Sequence, residues 1–436
     1  MKNFTLQFSS SIKLLSLCVL LSFCTVTYGQ GAIDDTQRTT SLDHPACIYY
    51  ADEFTESVSI PRDPMVIARM ESNRMPCANI TVNYNGFTGP AQAAFQFAVD
   101  IWANSIDSEI PITVNANFTE LDPNVLGSAG PTNFSTTPNA VSNTFYPQAL
   151  VEKINNAESN PPAPDSPSID INANFSNQIN WYFGTNARPP NNQFDFVSVV
   201  LHELGHGLGF VGFGRLDDTN SNLGRIRFSN IPSIYDRFIE NAAALSILSF
   251  PDPSTELLDQ MTGNNLFCNS PLVRAENGNA RPKIFAPSTF NPGSSYSHWN
   301  SSTFPQGNVN SLMTPSLAPG VANHNPGPVT LRFFEDMGWT ICAGALSVDE
   351  FGLNNIQVSP NPFTSSISIQ FVNVQNDNYK IDLMDINGRV VLSKNQTIEN
   401  NTITLSNLQK MDDALYFIKI TNTASGSSIT KKVIKK

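Results

Sequence analysis

Basic residues are scarce in this chain of 436 residues: 25 Lys and Arg stand against 37 Asp and Glu, a formal charge of −12. The acidic balance, with no extended basic run, argues against nucleic-acid binding and adsorption to anionic lipid. Long apolar runs are equally scarce. The one at the start, from Leu14 to Phe23, is too short to span a bilayer comfortably, and no later stretch is long and apolar enough to serve as a span. Histidine is rarer still, with five in the chain, and cysteine numbers six. Two histidines close together therefore carry weight as a signal.

What the N-terminus does have is the pattern of a secretory signal. Lys2 and Lys13 flank a polar start, the apolar run follows, and Thr27-Tyr28-Gly29 supplies small residues before Gln30. Loss of residues 1–29 takes two lysines and no acid, moving the charge from −12 to −14. It also takes Cys18 and Cys24, leaving Cys47, Cys77, Cys268 and Cys342. An even number in an exported chain predicts two disulfides, with three possible connectivities. Nearness in sequence pairs Cys47 with Cys77 and Cys268 with Cys342.

Residues 30–77 are polar, are broken by Pro61, Pro64 and Pro76, and show no long periodic segment, as expected of a leader or pro-segment. Residues 78–343 form the main domain. "ITVNY" (80–84) and "PITVNANF" (111–118) alternate as strands, and "AQAAFQFAVDIWANSI" (91–106) has helical spacing, so an α/β (α+β) domain opens with strand, helix, strand. Residues 119–168 are rich in Asn, Pro, Ser and Thr, 169–183 read as extended, and Asp195 is placed to cap a helix starting at Phe196. After a linker at 344–354, residues 355–436 carry short alternating segments. Asn387-Gly388 sits between two of them as a hairpin signal, and the segment predicts a small all-β sandwich.

The capped helix contains "VVLHELGHGLGFVGF" (199–213). His202 and His206, four apart, project from one helical face and can reach one metal ion. Glu203 stands beside them, where a carboxylate can accept a proton from a metal-activated water without being a ligand. A catalytic zinc site needs a third protein ligand, and Gly212 occupies the place where a third histidine might follow. The candidates are His44, His298, His324 and a downstream carboxylate such as Glu240. Asp217, Asp218, Asn220 and Asn222 offer oxygens for calcium, but their spacing matches no standard loop.

"HELGHGLGF" followed at a distance by "SYSHWN" (295–300), "LMTP" (312–315) and "FFEDMGW" (333–339) resembles the leishmanolysin-like branch of the metzincin zinc peptidases. The resemblance covers roughly residues 78–343. It implies that the elongated motif is interrupted by an insertion and that His298 is the third zinc ligand. It further implies that Gly209 turns the chain away from the helix and that Met313 lies in the turn beneath the metal. One catalytic Zn²⁺, with Glu203 as general base, would then hydrolyse protein or peptide substrates. The sequence departs from the branch in the length between His206 and His298. No tyrosine stands in the stretch just after the methionine turn, leaving Tyr296 as a substitute for stabilising an oxyanion, and Cys47 in "HPACIYY" could hold the zinc latent as the alternative to its disulfide with Cys77.

The tail resembles the sorting domain of type IX secretion, through "VSPNPF" (358–363), "DINGRVVL", "LYFIKI" (415–420) and the basic end "KKVIKK". This implies contact with a secretion machinery and export across the outer membrane to the cell surface or beyond. The competing expectations are a surface-associated binding or adhesion protein with a structural metal, and a zinc hydrolase acting on non-peptide substrates.

Overall fold

A computed structural model of the protein describes residues 38–40, 47–72, 74–158, 168–342, 356–371, 378–386, 388–398, 402–423 and 428–436. The signal segment, His44, the linker 344–354 and Asn387 lie outside the described residues. No helix among the described residues is long and apolar enough to cross a membrane.

The main domain is organised by one mixed sheet. Its strands are β1 (Cys47–Ala51), β2 (Ala78–Asn85), β3 (Ile106–Thr119), β4 (Val125–Pro131), β5 (Ile171–Ser176), β6 (Ser316–Leu317) and β7 (Thr340–Ile341). They pair in the order β6-β1-β4-β5-β3-β7, with β2 also on β3. β2, β3 and β5 are parallel, while β4 runs antiparallel to β5 and β1 antiparallel to β4. The crossover from β2 to β3 is α1 (Gly89–Ala103), whose N-cap Thr88 accepts from the Ala91 amide. Its apolar face, including Phe95, Val99 and Trp102, is fully buried, and the Trp102 indole N–H donates to the Leu201 carbonyl at 2.9 Å. That bond fixes α1 against α2 (Phe196–Gly207), the helix with the two histidines. All seven residues of β4, "VLGSAGP", are buried. Its small side chains let α2 approach closely: a Cβ on Gly127 would stand 3.2 Å from Glu203 Cγ.

The segment expected to be a leader or pro-segment contributes four elements, the first a two-residue strand, Thr39–Thr40, paired antiparallel with Phe134–Ser135. β1 enters the sheet, Val58–Ile60 pairs in parallel with Val321–Asn323, and Pro64–Glu71 is a helix. Strands of five and three residues are too short to give a periodic signal, and their partners lie far along the chain. The same distance defeats the expected disulfides. Cys77 is bonded to Cys342, and Cys47 and Cys268 are buried free thiols. β7 pairs antiparallel with the start of β3, beside the start of β2, which brings Cys342 to Cys77 across 265 residues.

Just before β5, the Asp170 carboxylate accepts from the Thr113 amide at 2.7 Å. Burial, and then the Glu152 carboxylate beside it, push its pKa from 3.8 up to about 8. The folded protein therefore keeps a proton that the unfolded chain releases above about pH 4, and this contribution to stability is lost as pH rises through about 8. Thermal melts should accordingly fall from pH 5 to pH 8.5, and Asp170→Asn should flatten the profile. A wild-type profile that rises over that range would contradict the assignment.

The tail is a β-sandwich. One sheet contains β8 (Gln357–Ser359), β9 (Ile367–Gln370) and β12 (Thr402–Leu405); the other has β10 (Asn378–Met384), β11 (Val390–Thr397), β13 (Leu415–Asn422) and β14 (Ser428–Ile434). Ile367, Ile369 and Leu405 from the first sheet share a core with Ile381, Leu383, Ile418 and Ile420 from the second. Gly388, between β10 and β11, has φ +79°.

Candidate metal centre

Asp195 caps α2 by accepting from the Ser198 amide at 2.8 Å and the Ser198 hydroxyl at 2.7 Å. One turn apart on that helix, His202 and His206 meet His298, which arrives from the loop before Trp299. The three Nε2 atoms stand 2.9, 3.1 and 3.2 Å from one another, and all three rings are fully buried. They form the one group of three or more His, Cys, Asp or Glu among the described residues whose donor atoms converge closely enough to hold a metal.

The other ring nitrogens settle the tautomers. Each Nδ1–H donates to a carbonyl: His202 to Leu312 at 2.7 Å, His206 to Phe210 at 2.7 Å and His298 to Ser294 at 2.6 Å. A carbonyl oxygen only accepts, so Nδ1 carries the hydrogen and Nε2 presents a lone pair. Burial, and then the neighbouring imidazoles, hold His202 and His206 well below the ordinary histidine range. Burial takes His298 down to about 4 despite the Ser294 carbonyl. At neutral pH three lone pairs thus face one another, an arrangement that repels unless a cation sits among them. Ligands about 2.05 Å from a tetrahedral zinc stand roughly 3.3 Å apart, close to the spacing of these nitrogens. The donor set fits zinc.

Beneath the pair, Gly205 lies on Met313: a Cβ there would come within 2.8 Å of the Met313 sulfur. Gly209, at φ +122°, lets the chain leave the helix, and a Cβ would press on Pro147. Glu203 is fully buried and neither carboxylate oxygen has a hydrogen-bond partner. Burial pushes its pKa well up, opposed by the nearby amides of Ala129 and Tyr49. Tyr49, on β1, stacks flat on His202 with ring centres 3.5 Å apart and planes at 7°. Nothing local marks Tyr49, since "CIYYA" is apolar or aromatic throughout and shows no alternation.

The remaining candidates lie elsewhere. His324 Nε2 is 2.8 Å from the Asp195 carboxylate, so this histidine supports the helix cap. Glu240 is tied to Arg281 and accepts from Asn269 at 2.8 Å. The Tyr296 hydroxyl is engaged in the core, donating to Asp236 at 3.0 Å. Cys47 is a buried thiol whose pKa burial pushes up, and its sulfur is not among the converging donors. Calcium has no opening at Asp217: that carboxylate accepts from the Thr219 and Asn220 amides and pairs with Arg225. Gly212 finds its explanation here. Its amide donates to the Ser297 hydroxyl at 3.1 Å, and any Cβ would overlap the Tyr296 ring.

Comparison with known proteins identifies the tail. Residues 357–436 match the family described as the secretion system C-terminal sorting domain. Residues 119–268 match a family described as SPBPB7E8-like, a span that includes α2 and stops short of His298. Neither match covers half of the chain, and no curated protein matches it. Similar solved structures include a DUF3244-family protein with an immunoglobulin-like β-sandwich from Bacteroides vulgatus, 20% identical over 19% of this chain and 85% of that one, with a TM-score of 0.16. Another is PorZ, a surface component of the type IX secretion system of Porphyromonas gingivalis, 15% identical over 36% of this chain and 20% of that one, with a TM-score of 0.17. TM-scores this low carry no inference about the fold. The sorting domain marks the protein for export across the outer membrane by type IX secretion, to the cell surface or the extracellular space, and implies contact with that machinery.

Proposed function

We propose that this exported protein is a zinc-dependent endopeptidase whose main domain is metzincin-like, akin to the leishmanolysin-like branch, and acts on protein or peptide substrates. The observation that carries this reading is the convergence of three imidazole lone pairs beside a buried carboxylate without a hydrogen-bond partner. His202, His206 and His298 would hold Zn²⁺. Three nitrogens with no fourth protein donor among the described residues is the ligand count of a catalytic zinc site, not a structural one. Bound there, the ion would supply Lewis acidity, bringing the pKa of a water toward about 7 and polarising the scissile carbonyl. Glu203 would take the proton from the attacking water and return it to the departing amine nitrogen. Burial, by raising the proton affinity of this carboxyl, suits it to both transfers.

In this chain His202, Glu203, His206 and His298 are all closed off from solvent, and Tyr49 covers His202. Tyr49 sits on β1, so release of β1 from the sheet would uncover the His202 side of the site. The test is zinc content and casein hydrolysis of the full-length protein before and after limited proteolysis within residues 61–76. One zinc per chain, hydrolysis that rises on nicking, and loss of activity with a chelator are expected. Nicked, zinc-loaded protein that cleaves small esters but not casein would make it a non-peptide hydrolase. Cleavage of neither would leave a structural metal in a binding protein.

A further inference from the structure

His298 lies 92 residues beyond His206, so its nitrogen reaches the other two only if the ends of a long excursion are held together. The held point is a buried node. The Asp236 carboxylate accepts from the Phe213 amide at 3.1 Å, just past α2, and from the Ser233 amide and hydroxyl, each at 2.8 Å. It also accepts from the Tyr296 hydroxyl at 3.0 Å, two residues before His298. The Tyr235 hydroxyl donates to the Tyr296 carbonyl at 2.9 Å, and the Tyr296 amide donates to the Phe285 carbonyl at 2.8 Å.

Tyr296 itself has φ +77°, a left-handed backbone that a bulky side chain adopts only where its surroundings over-determine it. Gly212 and Gly214 make room for its ring, since a Cβ at either would overlap it. Both ends of the residue are therefore pinned: the ring by two glycines and Asp236, the backbone by Tyr235 and Phe285. The turn this imposes delivers Ser297 to the Gly212 amide and His298 to the Ser294 carbonyl.

We infer that Asp236 and Tyr296 are positioning residues for the third metal ligand, stapling the ligand loop to the end of α2 so that His298 Nε2 faces those of His202 and His206. The inference rests on the metal-binding reading of the three histidines. Neither residue touches the ion; they act through the backbone, as outer partners of metal ligands do, where substitution costs about 10- to 100-fold in metal affinity.

The test uses full-length protein, with Zn²⁺ affinity measured by competition against a chromophoric chelator and the visible spectrum of the Co²⁺-substituted protein recorded alongside. Tyr296→Phe removes one hydroxyl and keeps the ring; Asp236→Asn keeps the shape but cannot accept from all of its donors. Both should lower Zn²⁺ affinity by about 10- to 100-fold and alter the Co²⁺ ligand-field bands. Glu240→Gln breaks an ion pair in the same excursion without touching the node and should leave affinity and spectrum unchanged. Wild-type affinity and spectrum in Tyr296→Phe would overturn the inference even if Asp236→Asn fails to fold. An equal loss in Glu240→Gln would overturn it too, by showing that any destabilisation suffices. Folded wild type that binds neither ion would remove the metal reading itself, and this inference with it.

Discussion

Glu203→Gln should leave a protein that binds zinc as tightly as wild type and hydrolyses casein about 10² to 10⁴ times more slowly. Glutamine matches glutamate in volume, and the space beside Glu203 Cγ is set by the missing side chain of Gly127, so the substitution needs no repacking. Glu203 contributes no atom to the converging donors, so the metal should stay. What is lost is a group able to take a proton and give it back. The thermal midpoint should be unchanged or slightly higher, because burial already disfavours the charged carboxylate that the substitution removes. Zinc content, melting temperature and turnover measured on one preparation decide the matter. Near-full activity would remove Glu203 from the chemistry, whereas loss of zinc together with activity would make it a structural support.

The local parts of this site were legible because their causes are local. Asp195 followed by an apolar run predicts the helix start, and the four-residue spacing of His202 and His206 places both rings on one face. Nothing local marks His298; only the resemblance singled it out, and its geometry depends on Tyr296, whose left-handed backbone no propensity scale anticipates. β1 escaped notice for a related reason. "CIYYA" gains its hydrogen bonds from β4 and β6, some 75 and 265 residues away, so its identity as a strand is a tertiary property. The disulfides show the error most plainly: nearness in sequence was used as a proxy for nearness in space, and the sheet order brings Cys342 to Cys77 instead.

His298→Ala tests that non-local part directly. Removing one of three nitrogens should weaken zinc binding by more than the ~10²-fold that changes in outer partners cost. His324→Ala and Glu240→Ala, which alter the helix cap and a distant ion pair, should retain the metal. Stability offers a second readout. A ligand that binds only the folded state stabilises it by RT ln(1 + [L]/Kd), about 4 kcal/mol at a thousandfold excess over Kd. Wild type should therefore melt well above its chelator-treated form, and His298→Ala should show little of that increment. The metal-free midpoint is the discriminating control. Without metal, deleting His298 relieves the crowding of three buried lone pairs while opening a cavity, two effects of opposite sign. A structural histidine would instead lower the metal-free and zinc-loaded midpoints alike. If His298→Ala keeps both its zinc and the increment, the third ligand lies elsewhere and the convergence of the three rings has another cause.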